Sequence, residues 1–114
     1  MKEERTKMIQ IPQNMTDVKV KIAELEELGH KSDEKQVVFE AIQDNAQSLL
    51  DEQLEGHYYS CKLNDDTITI FDVIQKPIGD IKSQGASFDA DFRQDANKML
   101  IYLNTEIHRV INQR

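Results

Sequence analysis

The most reactive side chains in this 114-residue chain are three histidines and a single cysteine. His57 and Cys61 lie four residues apart on a predicted strand, which places them on one face but about 13 Å apart at the rise of a β-strand. They therefore cannot form a nucleophile and general-base pair. Free cysteine is among the most buried residue types, so we expect Cys61 to be a core residue.

The remaining histidines and the glycines give no further sign of a catalytic or metal site. His30 and His108 lie close to the C-termini of predicted helices, where a histidine commonly meets the last carbonyls and the helix dipole. The sequence has no HExxH or CxxC motif and no glycine-rich phosphate loop, and its four glycines are isolated. We therefore predict no metal, no cofactor and no catalytic residues, and expect that the chain is not an enzyme.

Acidic residues give the one feature that suggests a function. The net charge is −7, and residues 24–55 hold ten acidic residues and two lysines, a net charge of −8, whereas the rest of the chain totals +1. Four acids of the second predicted helix follow at spacings of four, seven and four residues, which puts them on one face. These are Glu40, Asp44, Asp51 and Glu55, and Glu24 and Glu27 of the first predicted helix add to the acidic surface.

This acidic surface allows two interpretations. It could be a solvated face that keeps the protein soluble, or a docking surface for a partner protein with a basic surface, since opposed potentials speed encounter and select partners. A net negative charge disfavours direct binding to nucleic acid or anionic lipid, because phosphate groups repel it. We favour a non-catalytic interaction or regulatory protein of the inhibitor or accessory type, which acts by protein–protein contact with a basic partner.

The composition also indicates a compartment. A lone cysteine cannot form an intramolecular disulfide, so an oxidising compartment is not indicated. The first residues carry charges of both signs and do not resemble a signal peptide. The longest apolar run, Met99 to Leu103, is far shorter than the roughly 20 residues that a membrane-spanning helix needs. We therefore expect a cytoplasmic protein that is not integral to a membrane.

The chain is expected to form one domain, because its length is near the mode of single-domain sizes and allows one core without metal or disulfide. Residues 15–114 are predicted to form a single α+β domain. Residues 1–14 are predicted to be a flexible start or to add a short edge strand at Met8–Ile11.

Two helices are predicted in the first half of the domain. The first runs from Asn14 or Thr16 to Gly29, and the second runs from an N-cap at Ser32 to Gly56. Two helices joined by a short loop commonly pack antiparallel, so the pattern predicts a helical hairpin. The apolar stripes are Val18, Ile22, Leu25 and Leu28 in the first helix, and Val38, Phe39, Ile42, Ala46, Leu49 and Leu50, with Leu54 as a further member, in the second.

Two segments rich in β-branched and aromatic residues follow, His57–Leu63 and Thr67–Ile74, and predict a central antiparallel β-hairpin. The expected pairs are Leu63 with Ile68 and Cys61 with Ile70. This register gathers the apolar side chains of both strands on one face, whereas a slip of one residue would scatter them. The next segment is interrupted by a proline and a glycine, so Ile78–Ile81 is expected to add a short third strand at most.

A long C-terminal helix, capped at Ser87 or Asp89, completes the predicted fold. Its apolar stripe is the most regular in the chain and consists of Phe92, Ala96, Met99, Leu103, Ile107 and Val110, with Leu100 and Ile111 widening it. The helix is therefore expected to pack on both the helical hairpin and the β-hairpin.

Two alternative functions remain open at this stage. In the first, the chain is a homo-oligomeric scaffold, such as a homodimer, that associates through Leu100, Ile107 and Ile111 of the last helix. In the second, it binds a small ligand or nucleic acid on the β-hairpin face, where Tyr58 offers an aromatic ring and three lysines could form a basic patch. These lysines are Lys62, Lys76 and Lys82.

Overall fold

The computed structural model describes residues 11–53 and 59–113, which form three helices and one three-stranded antiparallel sheet, the α+β class that the sequence predicts. The helices are α1 (Met15–Glu27), α2 (Glu34–Gln53) and α3 (Phe88–Asn112), and the strands are β1 (Ser60–Leu63), β2 (Thr67–Phe71) and β3 (Pro77–Lys82). The strand order is β1-β2-β3. The helices α1 and α2 pack together as the predicted N-terminal pair, and α3 packs on both α2 and β3.

Local caps fix the two ends of α1. The Asn14 side chain accepts a hydrogen bond from the backbone N–H of Asp17 at 2.9 Å, which is the usual role of an asparagine N-cap. Gly29 follows the helix with φ +84°, and the backbone N–H of His30 donates to the Leu25 carbonyl at 2.9 Å. Because a left-handed glycine of this kind ends a helix, the predicted bounds of the first helix are confirmed.

The second helix starts one residue later than the sequence predicts. Its cap is Asp33, whose carboxylate accepts the backbone N–H of Lys35 at 3.0 Å. Ser32 precedes the helix, and its buried hydroxyl has no hydrogen-bond partner in the described part of the chain. A carboxylate also meets the positive end of the helix dipole, which favours Asp33 over Ser32 as the cap. The predicted C-terminal residue, Gly56, lies outside the described residues.

The sheet has the register that the sequence predicts. Leu63 pairs with Ile68 and Cys61 pairs with Ile70, so the apolar side chains of β1 and β2 face the helices. The third strand is longer than expected, because β3 pairs with β2 along its length and places Ile81 opposite Ile68. Residues 57 and 58 of the first predicted strand lie outside the described residues.

Side chains of α2 cover the outer edge of β1. The Gln47 amide donates to the carbonyl of Tyr59, just before the strand, at 2.7 Å. The Gln43 amide oxygen accepts the backbone N–H of Leu63 at 3.4 Å. An edge strand leaves every second pair of backbone groups without a partner strand, and these two glutamines, one helical turn apart, satisfy two of those groups.

Side chains of α3 cover the outer edge of β3 in the same way. The Tyr102 hydroxyl donates to the Lys82 carbonyl at 2.6 Å. The Arg109 guanidinium donates to the Asp80 carbonyl at 3.2 Å. Both edges of the sheet are therefore in contact with polar side chains from a helix that also packs on the core.

The last helix carries the predicted stripe, but it is interrupted. Its buried residues include Phe92, Ala96, Met99, Leu103, Ile107 and Val110. At Asp95 the backbone is extended, with φ −159° and ψ 89°, and the Asp95 carboxylate accepts the backbone N–H of Lys98 at 3.1 Å. Asp95 is thus an N-cap within the helix, and a new helical segment starts after it.

The described part of the N-terminal segment contacts α2. Pro12 is buried, and its carbonyl accepts a hydrogen bond from the Asn45 amide at 2.8 Å, while the same amide donates to the Ala41 carbonyl at 2.7 Å. Residues 11–14 contain no strand, and residues 8–10 of the predicted edge strand lie outside the described residues. In the part of the chain that the structure describes, no helix is long and apolar enough to cross a membrane.

Candidate functional site

The Cys61 thiol is held in surroundings that suppress its reactivity. Cys61 is partly buried against the core, with Sγ 3.8 Å from the Gln43 carbonyl oxygen and 3.9 Å from Oε1 of Gln47. Burial, and then the negative charges of Asp44 and Asp51, raise the pKa of Cys61 to about 12. Because the thiolate is the nucleophilic form, this thiol is not suited to covalent catalysis at neutral pH.

The two described histidines, His30 and His108, are both exposed. His108 is exposed, and its Nδ1 lies 2.8 Å from the Asn104 carbonyl oxygen one turn earlier in α3, in keeping with the expected helix-carbonyl partner. His30 is exposed just beyond α1. Across residues 11–53 and 59–113, no group of three or more His, Cys, Asp or Glu side chains is placed to hold a metal ion.

The predicted acidic row lies on the solvent side of α2. Glu40, Asp44 and Asp51 are all exposed, and we call these three residues the α2 acidic face. Two of them accept a hydrogen bond from a glutamine amide one helical turn earlier: Gln36 donates to Glu40 at 3.3 Å, and Gln47 donates to Asp51 at 3.0 Å. The fourth member of the predicted row, Glu55, lies outside the described residues.

A groove of about 400 Å³ lies beside the α2 acidic face, between the first half of α2 and the turn after β1. Its apolar lining consists of Phe39 and Leu63, both only partly buried. Its charged lining consists of the carboxylates of Asp33, Glu40, Asp44 and Asp65 and the ammonium of Lys35. The groove therefore combines an apolar floor with an excess of three negative charges.

One cation of the chain itself occupies the aromatic floor of this groove. The Nζ of Lys35 lies 5.5 Å from the centre of the Phe39 ring, within the range of a cation–π contact. The two residues are four positions apart on α2, so their side chains meet on one helix face. The place of Phe39 in the apolar stripe predicts a core residue. In the structure its ring is only partly buried and lies in contact with a charged group.

The surroundings of Asp44, one of the carboxylates of the groove, affect its ionisation. Burial, followed by repulsion from Glu40, raises the pKa of Asp44, and the positive charge of Lys21 on α1 partly offsets this rise. A carboxylate that lies close to a like charge and is partly desolvated has an unfavourable ionised state. A cation bound between Glu40 and Asp44 would relieve that repulsion.

The other acidic residues of the sequence hypothesis do not join this site. Glu24 and Glu27 are exposed on α1, but neither lines the groove. Conversely, the groove includes Asp33 and Asp65, which are not members of the predicted acidic surface, and Phe39, which the sequence places in the apolar stripe of the second helix. The spacing of Lys35 and Phe39 by four residues is the sequence signal that could have identified the aromatic floor.

The residues of the self-association hypothesis are largely used within the chain. Ile107 is fully buried, with 0% of the residue exposed, so it offers no surface to a second chain. Leu100 and Ile111 are partly buried and pack against the same core. Ile101, 61% exposed, is the large apolar side chain of α3 that does face solvent.

The three lysines of the β-hairpin hypothesis are exposed, and each has different neighbours. Lys82 donates to the Thr67 hydroxyl at 2.9 Å, across the pairing between β3 and β2. Lys62 pairs in register with Thr69, whose partner on β3 is the acidic Asp80. Lys76 lies in the turn before β3, and Tyr58 is outside the described residues.

Comparison of the chain with protein-family models, with the curated proteins and with the solved structures finds no match.

Proposed function

We propose that this chain is a non-catalytic, cytoplasmic interaction protein that binds the basic surface of a partner protein through the α2 acidic face. The observation that carries this proposal is the groove, because it places the partly exposed apolar side chains of Phe39 and Leu63 among four carboxylates. A face that serves solubility alone needs only polar side chains. An apolar centre within a charged surround is typical of protein interfaces.

The charge of this face also supports a basic partner. The ion pairs within the described residues involve Arg93 and Arg109 of α3, and none of them neutralises Glu40, Asp44 or Asp51. The three exposed carboxylates therefore set up a negative field at this surface, which the charge of Lys21 weakens at Asp44. Such a field steers an oppositely charged partner toward the surface and raises the rate of association.

The proposal can be tested by affinity capture with the 114-residue chain. We expect a set of basic proteins to be retained at low salt, less strongly at moderate salt, and not by the variant Glu40→Gln/Asp44→Asn/Asp51→Asn, because the carboxylates that attract them are gone. Proteins are identified by mass spectrometry, and only those lost with the variant count as partners.

The control variant removes the same number of charges from α1. Glu24→Gln/Glu26→Gln/Glu27→Gln changes exposed residues that do not line the groove, so it should retain the same proteins. Equal loss with both variants would show that net charge, rather than the α2 acidic face, governs capture. Undiminished capture by the α2 variant would also overturn the proposal.

A further inference from the structure

The contact between Lys35 and Phe39 indicates what kind of group the groove accepts. The Lys35 ammonium lies 5.5 Å from the Phe39 ring centre, and no ion pair holds this ammonium within the described part of the chain. A lysine side chain on the surface moves freely and gains little from one cation–π contact. Lys35 is therefore a replaceable occupant of a position that favours a positive charge.

The carboxylates around this position have acceptor capacity to spare. Glu40 accepts one hydrogen bond from Gln36, and Asp33 accepts one from the Lys35 backbone, whereas a carboxylate has about four lone-pair sites. Asp44 adds a third carboxylate beside Glu40, and burial, followed by repulsion from Glu40, raises the pKa of Asp44. A flat cation with several N–H donors could satisfy these oxygens while lying on the ring.

We propose that the groove is an anchor site for one arginine side chain of the partner protein, whose guanidinium replaces the Lys35 ammonium over Phe39 and pairs with Glu40 and Asp44. This inference rests on the proposed function and names the group recognised at its centre. Arginine is favoured over lysine for two reasons. Its planar guanidinium stacks on an aromatic face and offers paired donors to carboxylates. An incoming lysine would only exchange one ammonium for another.

The direct test is a titration of the 114-residue chain, followed by NMR, with three blocked tripeptides. The probes are Gly-Arg-Gly, Gly-Lys-Gly and Gly-citrulline-Gly, and citrulline matches the shape of arginine without its charge. We expect the arginine peptide to shift the Phe39 ring signals and the amides of residues 33–44 and 63–65, with an affinity about 10-fold higher than that of the citrulline peptide. The lysine peptide should be intermediate.

Substitutions at Phe39 and Lys35 separate the contribution of the cation–π contact to the affinity from that of general electrostatic attraction. Phe39→Leu keeps the apolar area but removes the ring face, so the affinity for the arginine peptide should fall roughly 3-fold to 10-fold. Lys35→Gln removes the internal competitor, so the affinity should rise. Lys31→Gln is the matched control, since it removes the same charge from an exposed lysine that does not line the groove, and its effect should be smaller.

The results distinguish this inference from the proposed function. Equal binding of the arginine and citrulline peptides, or equal effects of Lys35→Gln and Lys31→Gln, would overturn the arginine anchor even if the α2 acidic face still captures basic proteins. Circular dichroism melts are used to check whether Phe39→Leu folds. Should that variant be unfolded, the peptide comparison and the two lysine variants still decide the matter.

Discussion

Burial and two neighbouring carboxylates act on the Cys61 thiol in the same direction. Each disfavours the negatively charged thiolate form of Cys61, and together they raise the pKa of Cys61 to about 12. The ordinary value is 9.0, so the folded protein at neutral pH holds about a thousandfold less thiolate than an unperturbed cysteine. Burial, with smaller contributions from the charges of Asp44 and Asp51, thus protects this cysteine from reaction.

Alkylation of Cys61 by iodoacetamide should accordingly be slow in the folded protein. We expect the rate at pH 8 to rise by two to three orders of magnitude when urea unfolds the chain, because unfolding restores solvent and separates the thiol from Asp44 and Asp51. Mass spectrometry of quenched samples gives both rates. Equal rates in the two states would contradict the structure around Cys61.

The carboxyl of Asp44 is expected to titrate above its ordinary pKa of 3.8, because burial and repulsion from Glu40 disfavour its negative charge. The variant Glu40→Gln should lower the pKa of Asp44, since it removes the repulsion, and Lys21→Gln should raise it, since it removes an attraction. Titration of the side-chain carboxyl carbon by NMR measures each value. A pKa of Asp44 that does not respond to Glu40→Gln would refute the closeness of these two residues.

The raised pKa of Asp44 makes one contribution to the dependence of stability on pH. A carboxyl with a raised pKa in the folded state binds its proton more tightly when folded. Its contribution to stability is present below 3.8, the ordinary value, and is lost as the pH rises through the raised value. Asp44→Asn should therefore raise the melting temperature at neutral pH and leave it unchanged in strong acid.

At the scale of elements, β3 and α3 pack closely together at Gly79. A Cβ atom added to Gly79 would lie 2.6 Å from Cγ1 of Val110, which is itself buried. The helix can therefore pack at this distance only because the strand has no side chain here. This explains a glycine in the middle of a strand, where its backbone freedom is otherwise unfavourable.

We expect Gly79→Ala to destabilise the protein by about 1 to 3 kcal/mol, the usual cost of overpacking a core. The free energy of unfolding from urea titrations measures this. In the double variant Gly79→Ala/Val110→Ala the clash is removed, so the loss should be smaller than the sum of the two single losses. Additive losses would show that the two side chains do not meet.

The interruption of α3 at Asp95 marks a limit of prediction from periodicity. The apolar stripe from Phe92 to Val110 continues through the break, because Ala96 and Met99 still face the core. A stripe reports which face is buried and not whether every hydrogen bond of the backbone is made. Aspartate is a strong N-cap residue, so the sequence did contain the signal, although an aspartate within a regular stripe is hard to distinguish from a surface residue.

For the molecule as a whole, local patterns predicted the fold well and the site only in part. The hairpin register followed from alternation in β1 and β2, and the bounds of α1 followed from Asn14 and Gly29. The acidic face of α2 followed from helical spacing. The groove did not, because it brings Phe39 next to Leu63 and Asp65, more than twenty residues away in sequence, and only tertiary packing decides that contact.

The covered edges of the sheet have a consequence for the solubility of the chain. The segment Thr67–Phe71 consists of β-branched and aromatic residues without charge or proline, a composition that readily forms cross-β assemblies when exposed. In the fold it is the central strand, and the outer edges of its two neighbours are occupied by side chains of two helices. Gln43, Gln47, Tyr102 and Arg109 thus occupy backbone groups at the sheet edges through which a strand of another chain would otherwise pair.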